Sequence, residues 1–151
     1  MVAAIEIDVL RDDEIEAAVA LWRDAGLTRP WNDPRADAHR ALAGPSSTIL
    51  AVRLAGAVVG TAMVGDDGHR GWVYYVGVRA DARGRGLGKM LMRAAERWLA
   101  DRGVPKLNLL VRDDNTAVRD FYRRIGYETS DVVVLSRALS GAAGSSGPHD
   151  P

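Results

Sequence analysis

Cysteine is absent from the 151-residue chain, which excludes a disulfide framework, a thiolate nucleophile and a cysteine-ligated metal, and permits a reducing compartment. An excess of charge is absent too: 20 Lys and Arg balance 20 Asp and Glu, so no global field recruits nucleic acid or an anionic membrane, and any anion site has to be local. Aromatic residues make up only 6%, too few for a broad stacking face of the kind that binds nucleic acid. No apolar run approaches the length of a membrane span, and the opening Met-Val-Ala-Ala-Ile-Glu lacks a basic stretch followed by an apolar core. Nucleic acid and membrane are therefore not expected partners, and the expected address is cytoplasmic. His39, His69 and His149 have no metal-ligand spacing, so no metal is expected.

What is present is ordinary globular composition, 47% hydrophobic and 26% charged, in a length that suits one domain able to bury a core. Ile5 and Ile7 alternate with Glu6 and Asp8, the signature of a half-buried strand over residues 4–10. A helix follows, capped by Asp12 or Asp13, with Ile15, Ala18, Val19 and Trp22 at helical spacing and Gly26 as its stop. The prolines at 30 and 34 mark an ordered loop, and a short helix is predicted over residues 35–43. Two β-branched runs, 48–54 and 57–64, flank Ala55-Gly56 and read as a hairpin. After the turn at 65–71, residues 72–78 read as a central strand covered on both faces.

A long helix is predicted over residues 86–102, a strand over 106–111, a last helix over 115–125, and one or two closing strands over 127–139. The order is βα(α)βββαβαβ, an α/β (α+β) chain with a mixed sheet flanked by helices. Residues 1–139 are expected to form the domain. Residues 140–151 offer nothing large and apolar to bury and read as a flexible tail.

The most informative stretch runs from Val76 to Lys89. There a strand delivers the chain to Arg83-Gly84-Arg85-Gly86-Leu87-Gly88 and a helix begins, so unpaired amides and the positive end of the helix dipole converge. Glycines at 84, 86 and 88 admit a ligand without Cβ obstruction, and Arg83 and Arg85 add charge-assisted donors. A dinucleotide fingerprint would need glycine at 89 or 91, where Lys89 and Leu91 stand, and a nucleotide P-loop would need Ser or Thr at Met90 and glycine at Arg83. Both fail. Glycines that merely tighten a turn are the remaining alternative.

Arg83-Gly84-Arg85-Gly86-Leu87-Gly88, preceded by Val76-Gly77-Val78 and followed by Asn115 and Phe121-Tyr122 to Gly126-Tyr127, resembles the signature of the GNAT superfamily of N-acetyltransferases over residues 4–139. The segments Arg29-Pro30-Trp31-Asn32-Asp33-Pro34 and Asp67-Gly68-His69-Arg70-Gly71 further look like a YpeA-type subgroup. The resemblance implies acetyl transfer from acetyl-CoA to an amine, the acceptor partner. It implies a coenzyme A pyrophosphate on the turn residues Arg83, Gly84, Arg85, Gly86, Leu87 and Gly88. The pantetheine arm would lie on the backbone of Val76 and Val78, on a strand edge splayed from its neighbour, with Asn115 nearby. Closing strands in such folds often pair between subunits, which makes a homodimer a candidate.

Acetyl transfer needs a neutral amine and a proton for the departing thiolate. Tyr122 matches the family's usual acid; read alone, it fits equally a core aromatic beside Phe121. A carboxylate often precedes the Val-x-Val strand end in the family, but Tyr74 and Tyr75 hold those positions here. The base is therefore open among Asp33, Asp66, Asp67 and His69, each of which also suits a turn or cap. Trp31, Asn32 and Asp33 lie where the family builds acceptor pockets, with Asp67 and His69 as further substrate-side candidates. Lacking cysteine, the chain is expected to work by direct attack in a ternary complex. The missing strand carboxylate motivates an alternative, a non-catalytic acetyl-CoA-binding regulatory module.

Overall fold

The computed structural model describes residues 4–139. The elements run β1 (Ile5–Val9), a 3-10 turn (Asp12–Glu14), α1 (Ile15–Asp24), α2 (Pro34–Ala43), β2 (Ser47–Leu54), β3 (Ala57–Asp66), β4 (Gly71–Val78), a second 3-10 turn (Ala80–Ala82), α3 (Leu87–Ala100), β5 (Leu107–Leu109) and α4 (Thr116–Arg124). The sheet order is β1-β2-β3-β4-β5. The first four strands pair antiparallel and β4 pairs parallel with β5, which makes the sheet mixed. This is the α/β class that the sequence implies. No helix among the described residues is long and apolar enough to cross a membrane.

The chain falls into two compact units, one through Thr28 and from Asn32 to Leu109, the other Arg29–Trp31 with the chain from Leu110 on. In the first, β2 alternates between two cores: Ile49 and Ala51 join α1 and α2 residues such as Ala18, Val19, Trp22, Ala38 and Ala41. The opposite face of the sheet meets α3, because a Cβ on Gly60 would lie 2.8 Å from Val52 and 3.1 Å from Leu91. With helices above and below, β2 is buried along nearly its whole length. The β2–β3 hairpin turns at Ala55 (φ 50°) and Gly56 (φ 83°), two left-handed residues in a row, as a two-residue hairpin requires.

Four expectations need correction. β1 is not half-buried: it is an edge strand paired only with β2, and Ile5 and Val9 are exposed. Neither Asp12 nor Asp13 caps the first helix. Glu14 stands at the N-cap of α1 without a side-chain capping bond to it; its carboxylate turns back instead, accepting from the Arg11 amide at the head of the 3-10 turn at 2.9 Å and from Arg11 Nη2 at 3.2 Å. β4 is central only at its start, since β5 accompanies it at Gly71, Trp72 and Val73 and no further. The predicted closing strand is missing: among the described residues none after Leu109 is in a strand. A strand is held by a ladder partner, and Val132, Val133, Val134 and Leu135 are 78%, 84%, 51% and 91% exposed instead. The predicted tail, 140–151, lies outside the described residues.

Candidate active site

The turn between β4 and α3 is open to solvent. Gly84 (φ 80°) and Gly86 (φ 75°) take left-handed conformations, and a Cβ built on either would meet nothing within 4 Å. Gly86 is the N-cap of α3 and has no capping side chain, so the first amides of this 14-residue helix face outward without an intramolecular substitute. The first turn carries no acidic residue that would repel an anion. Leu87 anchors the helix in the core while Arg83, Gly84, Arg85 and Gly86 stay exposed. Arg83 Nε donates to the Val78 carbonyl at 3.1 Å, which ties the turn to the end of β4. Beside it, a cleft is lined by Leu21 and Asp24 of α1 and Ala25 just after it, together with Val78, Arg79 and Arg83.

β4 itself is irregular where the chemistry is expected. Its register against β3 shifts between Thr61 and Met63, and Tyr75 sits there at φ 51°, a conformation a bulky side chain adopts only when its surroundings impose it. Those surroundings are specific. The Tyr75 ring stacks on Trp22 at 4.1 Å between centroids. Trp22 Nε1 donates to the Thr61 hydroxyl at 2.8 Å, which donates to the Tyr75 carbonyl at 2.8 Å. Tyr75 Oη donates to Asp37 Oδ2 of α2 at 2.7 Å. Because β5 ends its pairing at Val73, the β4 backbone from Tyr74 to Val78 has no strand on that side among the described residues. Val76 and Val78 lie in that stretch without a β5 partner.

In the second unit, Tyr122 on α4 is 8% exposed and makes edge-on ring contacts with Phe121 at 5.0 Å and Tyr127 at 5.6 Å. Burial pushes its phenol up to about 12, so it stays protonated at neutral pH. Asn115 is the N-cap of α4, its side chain accepting from the Val118 amide at 3.3 Å. Trp31 is partly buried.

The remaining substrate-side candidates are dispersed. Asp33 caps α2, accepting from the Arg35 and Ala36 amides, each at 3.1 Å. Asn32 precedes it in the same loop, partly buried. Asp67 accepts from the His69 and Arg70 amides and from Trp72 Nε1; those hydrogen bonds, Arg70 first, hold its carboxyl below the usual range. Asp66 accepts from the Gly68 amide at 2.8 Å. Asp66, Asp67 and His69 thus shape the turn at the start of β4, while the glycine turn follows its end, and the eight residues between span roughly 26 Å. The structure draws attention to one pair that the sequence did not, Tyr75 with Asp37. Their separation of 38 positions left no local signal for it.

The sequence matches the Acetyltransferase (GNAT) family over residues 10–127. It is 44% identical to an acetyltransferase of Yersinia enterocolitica over 135 residues, 89% of this chain and 96% of the relative. The fold is similar to that of the aminoglycoside acetyltransferase AAC(6')-Iy, solved with a bisubstrate analogue of coenzyme A and acetylneamine, with TM-score 0.77 and 19% identity over 91% of this chain and 100% of that one. It is similar also to a ribosomal-protein-alanine N-acetyltransferase of Brucella melitensis, with TM-score 0.72 and 23% identity over 89% and 99% of the two chains. The family match and the relatives show that the chain belongs to the GNAT family of acetyltransferases.

Proposed function

We propose that this acetyltransferase moves the acetyl group of acetyl-CoA to an amine, whose neutral form attacks the thioester directly in a ternary complex. One observation carries the reading: an exposed glycine turn at the head of α3 lies in line with the unpaired edge of β4. The turn fits a diphosphate, since it offers outward amides, two guanidinium groups and open space where Cβ atoms would stand. The edge fits an amide-bearing arm on Val76 and Val78. The coenzyme supplies an activated acetyl group when bound. The chain's own groups hold the pyrophosphate at residues 83–88, hold the arm along β4 and, through Tyr122 in the second unit, provide a proton for the leaving sulfur. The phenol is protonated at neutral pH whether or not burial raises it, as a donor to the leaving sulfur has to be.

The YpeA-like subgroup rests on the loop from Arg29 to Pro34 and the turn from Asp67 to Gly71, and we keep it as our assignment. We keep a cytoplasmic location as our reading; a chain without cysteine is compatible with a reducing compartment. The exposed apolar run at residues 132–135 supports a homodimer in which a second copy supplies the missing strand partner. Equilibrium sedimentation at micromolar concentration tests it: a pure monomer would remove that reading. The activity is tested by incubating the protein with acetyl-CoA and an amine panel and following thiol release. Amine-dependent release is expected. Coenzyme binding without release from any amine would favour a non-catalytic coenzyme-binding module.

A further inference from the structure

Asp37 is a carboxylate that neither the glycine turn nor any cap employs. It is partly exposed on the first turn of α2, and the Tyr75 phenol that donates to it is partly exposed as well. A phenol has one proton. Once that proton is committed to Asp37 at 2.7 Å, the oxygen can only accept, and a group docking on it has to be a hydrogen-bond donor. The neighbouring carboxylate adds negative charge and so favours a donor that is also a cation.

The mount is rigid. The Tyr75 ring is stacked on Trp22, which is fully buried, and its carbonyl is held by Thr61, also fully buried. The left-handed backbone at Tyr75 is therefore fixed from both sides, and a receptor oxygen held this way loses little freedom on binding. The place is right too. With the pyrophosphate on the turn after Val78 and the arm on Val78 and Val76, the reacting end of the coenzyme runs back along β4 and arrives at Tyr75. The ring of Tyr75 faces α1 and α2, so an acceptor approaching the thioester from the helix side meets the phenol and Asp37.

We infer that Tyr75, oriented by Asp37, receives the acceptor, and that the acceptor is a cationic aliphatic amine whose ammonium docks by donating to the Tyr75 oxygen beside the Asp37 carboxylate. The docked ammonium releases one proton to solvent before its neutral form attacks. Tyr75 is a binding residue for the amine, and Asp37 is a positioning residue that also supplies charge. The inference rests on the acetyl-transfer reading given above. It supplies the carboxylate that β4 itself lacks, from a helix instead of the strand.

The test uses thiol release from acetyl-CoA with four probes: spermidine, kanamycin, a tripeptide with a free α-amine, and p-toluidine, which is uncharged at the assay pH. For the cationic probe that reacts, Tyr75→Phe and Asp37→Asn are each expected to raise the amine KM about ten- to a hundredfold. The KM for acetyl-CoA stays within about twofold, because neither side chain is assigned to the coenzyme. Asp37→Asn keeps an acceptor for the phenol and removes the charge, so its loss should vanish with p-toluidine. Unchanged amine KM in both variants overturns the inference and leaves acetyl transfer standing. Equal losses for amine and acetyl-CoA also overturn it, since that is what a collapsed β4 would give. Absence of release with all four probes in the unsubstituted protein overturns the transfer reading and this inference together.

Discussion

Replacing Arg53 by methionine should destabilise the fold by about 3–5 kcal/mol, although position 53 is on β2 and away from the glycine turn. Arg53 is 1% exposed and Glu14, in the turn before α1, 10%. The guanidinium grips the carboxylate with two bonds, Nε to Oε2 at 2.7 Å and Nη2 to Oε1 at 2.6 Å. It also reaches the Val9 carbonyl at 3.0 Å and Glu6 at 3.4 Å. The Arg53 hydrogen bond, working against desolvation, brings the Glu14 carboxyl from 4.5 down to about 2. At roughly 1.4 kcal/mol per pH unit this corresponds to about 3 kcal/mol, an order of magnitude for a buried pair.

Because the folded value is depressed, that stability is complete above pH 4.5 and is lost as pH falls toward 2. Urea unfolding at pH 7 measures the first expectation, and unfolding repeated between pH 5 and 2 measures the second. Glu14→Gln should flatten the acid limb. The double change Glu14→Leu with Arg53→Met should recover much of the loss, since a buried pair removed whole leaves no uncompensated charge. An Arg53→Met protein within about 1 kcal/mol of the unsubstituted one would refute the reasoning, as would a double variant no better than the single.

Tyr122→Phe should lower turnover about 10²- to 10⁴-fold with coenzyme affinity intact; unchanged turnover in steady-state assays would take the acid role from Tyr122. The same phenol, raised to about 12 by burial, contributes stability that is present below its ordinary pKa of 10.0 and lost as pH rises through about 12, so alkaline unfolding should shift upward in Tyr122→Phe. Arg83→Ala with Arg85→Ala should weaken coenzyme A binding about tenfold or more by calorimetry; equal dissociation constants would remove the phosphate role. Gly86→Ala, at φ 75°, should cost about 1–2 kcal/mol in urea unfolding; no loss would mean that the α3 N-cap relaxes out of the left-handed region.

Where sequence chemistry is local, it proved legible. Ala55-Gly56 specified a two-residue turn, and the apolar spacing from Leu87 to Leu99 specified the buried face of α3. Glycines 84, 86 and 88 marked a turn without Cβ obstruction, and two of them, 84 and 86, are left-handed in the structure as well. What escaped is what depends on distant partners. Tyr75 adopts a positive φ without being glycine because Trp22, Thr61 and Asp37 hold it, and none of them is near it in sequence. Glu14 leaves the first helix uncapped by its side chain because its carboxylate is taken by Arg53, 39 positions away. The β-branched run at 132–134 carries strand propensity, yet propensity makes no strand without a ladder partner. Of the candidate site, the turn could be read directly; the strand edge came only from the family resemblance, since residues 72–78 by themselves read as a central strand. The carboxylates Asp33 and Asp67 drew attention by type, and both turn out to satisfy backbone amides.

The most direct test of the account is the amide footprint of coenzyme A, followed by nitrogen–proton correlation spectra during a titration. Saturable shifts are expected at the amides of Gly84 to Lys89 and at Val76 and Val78, with the turn from Asp67 to Arg70 unmoved. Shifts confined to that turn, with Gly84 to Gly88 silent, would contradict the claim that the head of α3 holds the diphosphate.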